Sequence, residues 1–237
     1  MNKKLEEVLQ KAENTEKAKL CGRYFKTGKG EYGEGDKFLG IIVPLQRKIS
    51  REFDYLEMDE IQELLDSKYH EKRVIGLFIL ILKYEKASKE NNLQIKKQIF
   101  EFYLKNASKN NVNNWDLVDI SAPNIVGDYL LDKNRDILYE LVKSNNLWER
   151  RISIISTLAF IRQKDLKDTL KISEILLLDK HDLIHKAVGW MLREAGKRDV
   201  EVLRKFLKDN YKKMPRTMLR YSIEKFSLNE RKEWLLR

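Results

Sequence analysis

From Asn2 to Phe25 apolar side chains recur at Leu5, Val8, Leu9 and Ala12, then at Ala18 and Leu20. That spacing of three and four residues predicts a helix with one buried face. KTGKGEYGEGDKFLG (26–40) breaks the pattern; it holds five of the ten glycines and reads as a loop. GIIVPLQRKISREF resumes the helical pattern, with Pro44 suited to a first turn. Asp59 is the expected N-cap of the helix IQELLDS. Beyond it one theme repeats. A short polar turn leads to an Arg or Lys and then to a strongly apolar helix. The instances are 69–84, 113–131, 147–163 and 182–197, with a weaker one at 212–226. Amphipathic segments such as IKKQIFEFYLKNAS and TLKISEILLLDK lie between them.

Taking Arg73, Asp116, Arg151 and Lys186 as equivalent points gives spacings of 43, 35 and 35 residues. Periods of that size mark helical-pair solenoids of the HEAT or armadillo kind, in which each pair buries its apolar face against the next. The expected architecture is therefore all-α: an α-α superhelix of HEAT-like repeats, about six pairs, one domain over 1–237, with a concave face lined by the second helices. A sheet is the alternative for IIVP and VIGLFILIL, since short apolar runs do not settle the period. VIGLFILILKYEKA, however, runs into charged helix formers without a turn signal.

Composition narrows the partners. Lys and Arg number 47 against 37 Asp and Glu, a net charge of +10. That excess suits a polyanion, and nucleic acid before a membrane surface. The longest apolar run, Val74 to Leu82, is interrupted by Gly76 and falls well short of the roughly 18 residues that span a bilayer. The N-terminal stretch is charged throughout and lacks the apolar core of a signal peptide. A single cysteine, Cys21, excludes an intramolecular disulfide framework and a cysteine-based zinc cluster. A reduced, cytoplasmic protein is expected.

The Gly-rich loop has neither the P-loop order nor the dinucleotide-binding order of glycines, although its lysines could touch phosphate. His181 and His185 have a metal-binding spacing, but no third ligand pattern accompanies them, so a solvated pair and no metal is expected. What remains is a set of tryptophans and charges at the starts of the apolar helices: Trp115 with Asp116 and Asp119, Trp148 with Arg150 and Arg151, and Trp190 between Lys186 and Arg193. Each has an ordinary reading, as core indole, helix-start acid or solvated cation. In a solenoid, though, equivalent positions share a face, so Trp115, Asp119, Arg151 and Trp190 are expected to converge. A carboxylate between indoles in a basic groove weakens phosphate binding unless it meets positive charge on the ligand.

The segments RYFKTGKGEYGEGDKFLGI, NNWDLVD, LWERRISI and KAVGWMLRE, in this order and spacing, resemble the AlkD-type DNA glycosylases, the HEAT-like-repeat DNA alkylation repair family. The resemblance covers nearly the whole chain. It implies hydrolysis of the N-glycosidic bond of cationic purines, such as 3-methyladenine or 7-methylguanine, in duplex DNA, without flipping the base into a pocket. On that basis Asp119, Trp115 and Trp190 match the catalytic cluster, Arg151 a phosphate-contacting arginine and Tyr24 a groove-lining tyrosine. The chemistry suits the residue types. A cationic purine leaves without a general acid, and a carboxylate stabilises the oxocarbenium character left on the sugar. The tryptophan faces offer negative quadrupole to the same cation. Asp116 is the competing carboxylate. Arg73, Arg150, Lys186, Arg193 and the C-terminal Lys212, Lys213, Arg216 and Arg220 are the expected DNA grip. No cofactor, no lyase lysine and no obligate protein partner are expected, and a monomer suits the task. The competing reading is a non-catalytic helical-repeat protein that binds DNA structures or protein partners.

Overall fold

The computed structural model describes residues 2–236. The protein is all-α: among the described residues no strand forms, and Lys37 and Tyr69 make only an isolated bridge. The helices divide between two compact units, one ending at Leu117 and one beginning at Val118.

The first unit contains α1 (Lys3–Ala12), α2 (Thr15–Tyr24), α3 (Val43–Glu52), α4 (Met58–Leu65), α5 (His70–Lys89) and α6 (Leu93–Ser108). The apolar periodicity from Asn2 to Phe25 spans two helices rather than one, because Asn14 caps α2 by accepting from the Lys17 amide. Pro44 sits in the first turn of α3 as expected, where its missing N–H costs nothing. The start of α4 differs from expectation. Glu57 is the N-cap, exchanging hydrogen bonds with Glu60 in a capping box, and Asp59 is an acid of the first turn. Helix α5 is buried on all sides from Val74 to Ile81, as a core helix must be, and α3, α4 and α6 pack around it. Gly40 has φ +76, and a Cβ there would lie 2.1 Å from the Asn14 carbonyl oxygen, so only glycine fits the crossing of loop and α2.

Helix α7 (Trp115–Ala122) carries the boundary between the units. At Pro123, which has no amide hydrogen to donate, the chain widens into a π-helical turn, Pro123–Gly127. The second unit continues with α8 (Asp136–Leu141), α9 (Leu147–Ser156), α10 (Leu158–Arg162), α11 (Lys167–Ile175), α12 (Asp182–Arg198), α13 (Val200–Asn210), α14 (Arg216–Ser222) and α15 (Leu228–Leu236). Helix α12 is central here, flanked by α9, α10, α11, α13 and α14. Its closest neighbour is α14. A Cβ on Gly189 would stand 2.5 Å from Tyr221 Cβ and 2.6 Å from the Met218 carbonyl oxygen. Each of the repeated "turn, cation, apolar run" segments does contain a helix, and among the described residues no helix is long and apolar enough to cross a membrane.

Candidate functional site

In the first unit the site is built on the entrance of α5. His70, Glu71, Lys72 and Arg73 follow one another at the helix start, and all four are buried. Four consecutive buried polar side chains demand partners. Glu71 accepts backbone amides of Leu39 (2.9 Å), Gly40 (2.8 Å) and Ile41 (3.3 Å), pinning the end of the Gly-rich loop. Lys72 pairs with Glu6 of α1 at 2.6 Å. Arg73 donates through Nη2 to Asp36 at 2.6 Å. His70 is 2.8 Å from Asp116 through Nε2 and 3.4 Å from Asp36 through Nδ1. One imidazole thus braces the loop and the first turn of α7.

Burial works against a charged His70. The Asp116 carboxylate and the hydrogen bonds to Asp116 and Asp36 outweigh it, even with Arg73 alongside, and raise its pKa to about 9. Burial likewise favours a neutral Asp36, but the hydrogen bond from His70 and the charge of Arg73 hold its carboxyl below the usual range. His70 is therefore an imidazolium at neutral pH, and Asp36 a carboxylate.

Above this network lies an aromatic stack. Phe25 lies on Trp115, with ring centroids 5.5 Å apart and planes 18° apart, and on Phe38 at 5.2 Å. Phe38 in turn stacks on His70 at 5.0 Å. Tyr24 meets Trp115 edge-on at 6.0 Å and is itself exposed. The structure thus brings Tyr24 and Trp115 together, as a partly exposed platform that Phe25 supports.

In the second unit Asp119 and Arg151 meet. Arg151 donates through Nε (2.9 Å) and Nη2 (2.8 Å) to the two oxygens of Asp119, and through Nη1 to the Leu183 carbonyl at 2.5 Å. The Arg151 side chain is 5% exposed and that of Asp119 17%. The fork fixes the carboxylate in plane and direction from behind, and α12 fixes the fork through Leu183. Trp190, also on α12, is half-buried.

Several expected DNA contacts are placed differently. Arg151 directs Nε and Nη2 to Asp119 and Nη1 to the Leu183 carbonyl, so in this structure its partners are a carboxylate and a backbone oxygen. The Arg73 side chain is 6% exposed and is committed to Asp36, which withdraws it from the grip. Arg150 bonds Asp179 at 2.7 Å and the carbonyls of Ser144 and Asn145. Lys186 pairs with Asp182 at 2.6 Å, and Arg193 pairs with Glu194 and Glu224. Arg216 is exposed and reaches the Leu235 carbonyl at 2.7 Å; Lys212, Lys213 and Arg220 are exposed. Both histidines of the pair are half-buried and have hydrogen-bond partners. His181 caps α12 by accepting from the Leu183 amide, and the His185 ring lies 2.5 Å from the Asp179 carbonyl oxygen. Among the described residues no group of three His, Cys, Asp or Glu could hold a metal ion. Sequence reasoning missed the His70–Asp36 brace, although four polar residues opening a helix with a long apolar run were its visible signal.

The protein is all-α, with a carboxylate clamped by a buried arginine in the second unit and an aromatic platform at the start of α7 in the first. A family model for DNA alkylation repair enzymes matches residues 5–226, and the chain belongs to that family. Among solved structures, one described as "Predicted DNA alkylation repair enzyme from Enterococcus faecalis" superposes with a TM-score of 0.67 at 16% sequence identity, over 91% of this chain and 97% of that chain. At that identity the likeness establishes the fold, an all-α solenoid of helical repeats. No curated protein matches the chain.

Proposed function

We propose that the protein is a DNA glycosylase that hydrolyses the N-glycosidic bond of cationic N3- or N7-alkylated purines, such as 3-methyladenine and 7-methylguanine, in duplex DNA. The single observation that carries this reading is Asp119, partly exposed and gripped from behind by the Arg151 fork. Membership of the alkylation repair family supplies the substrate class, DNA with alkylation damage.

The chemistry needs little else. An alkylated purine already carries the positive charge that a general acid would otherwise provide. As the bond lengthens, positive charge moves to the sugar, and an oriented carboxylate stabilises it electrostatically. Asp119 does this and orients the attacking water. Trp115, one turn before Asp119 on α7, and Trp190 on α12 offer indole faces for the sugar and its developing charge. Tyr24 extends the Trp115 platform along the groove. Phosphates are held by exposed cations, with Lys212, Lys213, Arg216 and Arg220 foremost, while Arg150, Lys186 and Arg193 exchange their partly exposed ion pairs for phosphate. The exposed Lys186–Asp182 pair is worth about 0–1 kcal/mol and is exchanged cheaply, whereas the largely buried Arg150–Asp179 pair costs more to part. The reading includes a monofunctional enzyme without cofactor, acting as a cytoplasmic monomer with residues 1–237 as one domain.

Asp119→Asn tests it. Losing one preorganised electrostatic group costs about 2.7–4 kcal/mol of barrier, so single-turnover base release from methylated duplex DNA falls by roughly 10²–10³ while DNA binding persists. Unchanged release by that variant removes Asp119 from the mechanism. Wild-type protein that binds DNA but releases no base favours the non-catalytic scaffold.

A further inference from the structure

Asp119 and Gly127 lie on one continuous stretch of helix, α7 and the π-helical turn that follows it. Both meet α9. Asp119 accepts from Arg151, and Gly127 stands against the backbone of Ser156. The contact at Gly127 is close. A Cβ there would lie 2.3 Å from the Ser156 carbonyl oxygen and 2.8 Å from Ala159 Cβ, so the two backbones approach with no side chain between them.

Gly127 follows Asp119 by eight residues. In an unbroken α-helix eight residues advance about 800°, which leaves the two positions about 80° apart, on different faces. Seven residues return to within about 20° of the same face. A turn closed by hydrogen bonds five residues long absorbs the extra residue. The Asp128 amide makes such a bond to the Pro123 carbonyl. The π-turn therefore lets one face of the helix present Asp119 to Arg151 and Gly127 to Ser156.

The sequence places the cause of this turn four residues after the carboxylate. An α-helix would offer the Asp119 carbonyl the amide of residue 123, and residue 123 is proline. A proline ring also presses on the carbonyl four residues earlier, which is that of Asp119. Asn124, next in the chain, donates its side-chain amide to the Ile120 carbonyl at 2.8 Å, so a side chain supplies a donor where the backbone ladder is disturbed.

We propose that Pro123 and Gly127 are positioning residues for Asp119: the π-turn they delimit rotates its carboxylate onto the face that the Arg151 fork grips. Pro123 opens the turn, and Gly127 sets how near α9 comes. The proposal rests on the glycosylase reading for its consequence in catalysis, but the fork itself can be followed without any reaction.

Pro123→Ala restores an amide for the Asp119 carbonyl and adds no bulk, whereas Gly127→Ala forces a methyl against Ser156. The NMR resonance of Arg151 Nε–H, assigned by its loss in Arg151→Lys, reports the fork. Single-turnover base release from methylated duplex DNA and DNA affinity are measured alongside. In both variants the Arg151 signal is expected to move towards its position in Asp119→Asn. Release falls by roughly tenfold to a hundredfold, as a misplaced reacting group commonly causes, with DNA affinity unchanged. Gly196→Ala, which crowds Leu203 elsewhere in the unit, keeps both signal and release. Where Gly127→Ala does not fold, Pro123→Ala decides alone. An unmoved Arg151 signal in Pro123→Ala overturns the proposal. So does a moved signal with wild-type release where Asp119→Asn has lost it, or an equal loss of release in Gly196→Ala. Should wild type release no base, or Asp119→Asn release it fully, the glycosylase reading falls instead, and the Arg151 signal still decides the positioning.

Discussion

Removing the proton from His70 dismantles the brace between the Gly-rich loop and α7, and its size follows from the geometry. The ring sits between Asp116 at 2.8 Å and Asp36 at 3.4 Å and is 2% exposed. Its pKa is raised from 6.5 to about 9. At 1.36 kcal/mol for each tenfold change, preferential protonation in the folded state contributes about 3 kcal/mol. Because the folded value lies above the unfolded one, that contribution is complete below pH 6.5 and is lost as the pH rises through about 9. Asp36 acts on the opposite side. Its lowered pKa stabilises above the ordinary 3.8 and is lost only as the pH falls through its folded value. Burial, together with Glu71 and Asp116, pushes the Cys21 thiol up, away from the His70 titration's lower end. His70 therefore dominates this network between pH 6.5 and 9. Denaturant unfolding of wild type and His70→Asn at pH 6.5, 8 and 9.5 measures it. The stability gap between the two proteins is expected to shrink by about 3 kcal/mol across the series. The ring-carbon resonance of His70 gives a second reading, with a midpoint expected near 9. A midpoint at or below 7, or a gap constant with pH, refutes the reasoning.

Three further perturbations separate structural from binding roles. Arg151→Lys keeps the charge but not the fork, so base release should drop by roughly tenfold or more while the salt dependence of DNA binding is unchanged. A log–log slope flatter by about 0.9 would instead mark Arg151 as a phosphate contact. Lys212→Gln, Lys213→Gln and Arg220→Gln are each expected to flatten that slope by about 0.9, measured by fluorescence anisotropy; an unaltered slope removes the residue from the grip. Gly189→Ala places a methyl 2.5 Å from Tyr221 Cβ, and overpacking of this kind costs about 1–3 kcal/mol. Calorimetry should show a lowered Tm, and an unchanged one denies the close approach of α12 and α14.

The sequence carried the helical class and much of the chain's grouping into helices, because apolar spacing is a local property that tertiary contacts reinforce. It did not carry the end of the first helix, where the choice turned on one asparagine side chain, nor the cap of α4, where Glu57 took the place assigned to Asp59 through a reciprocal pair with Glu60. The candidate site was legible as residue types but not as partnerships. Arg73 and Arg151 occupy the expected positions, yet a charge in a sequence carries no label for which acid it meets. Asp36 lies 37 residues before Arg73, a separation that no helical period gives, whereas Asp119 and Arg151 were expected on one face but not as a bidentate pair.

Those partnerships share a device. A basic residue near the start of an apolar helix reaches an acid on another segment: Arg73 to Asp36 in the first unit, Arg150 to Asp179 and Arg151 to Asp119 in the second. A repeat-equivalent cation is thus first a brace, since a buried charge without a partner is untenable and pairing with an acid resolves it. Function then depends on what the acid does with its other side. Asp36 is sealed, at 4% exposure, and can only hold the loop. Asp119 keeps 17% exposure, so the same brace leaves an oriented carboxylate at the surface of the second unit. Part of the net charge of +10 is thus held in ion pairs, among them those of Arg73, Arg150 and Arg151. On the proposed reading, the exposed C-terminal cations are left to hold DNA and Asp119 to act on it.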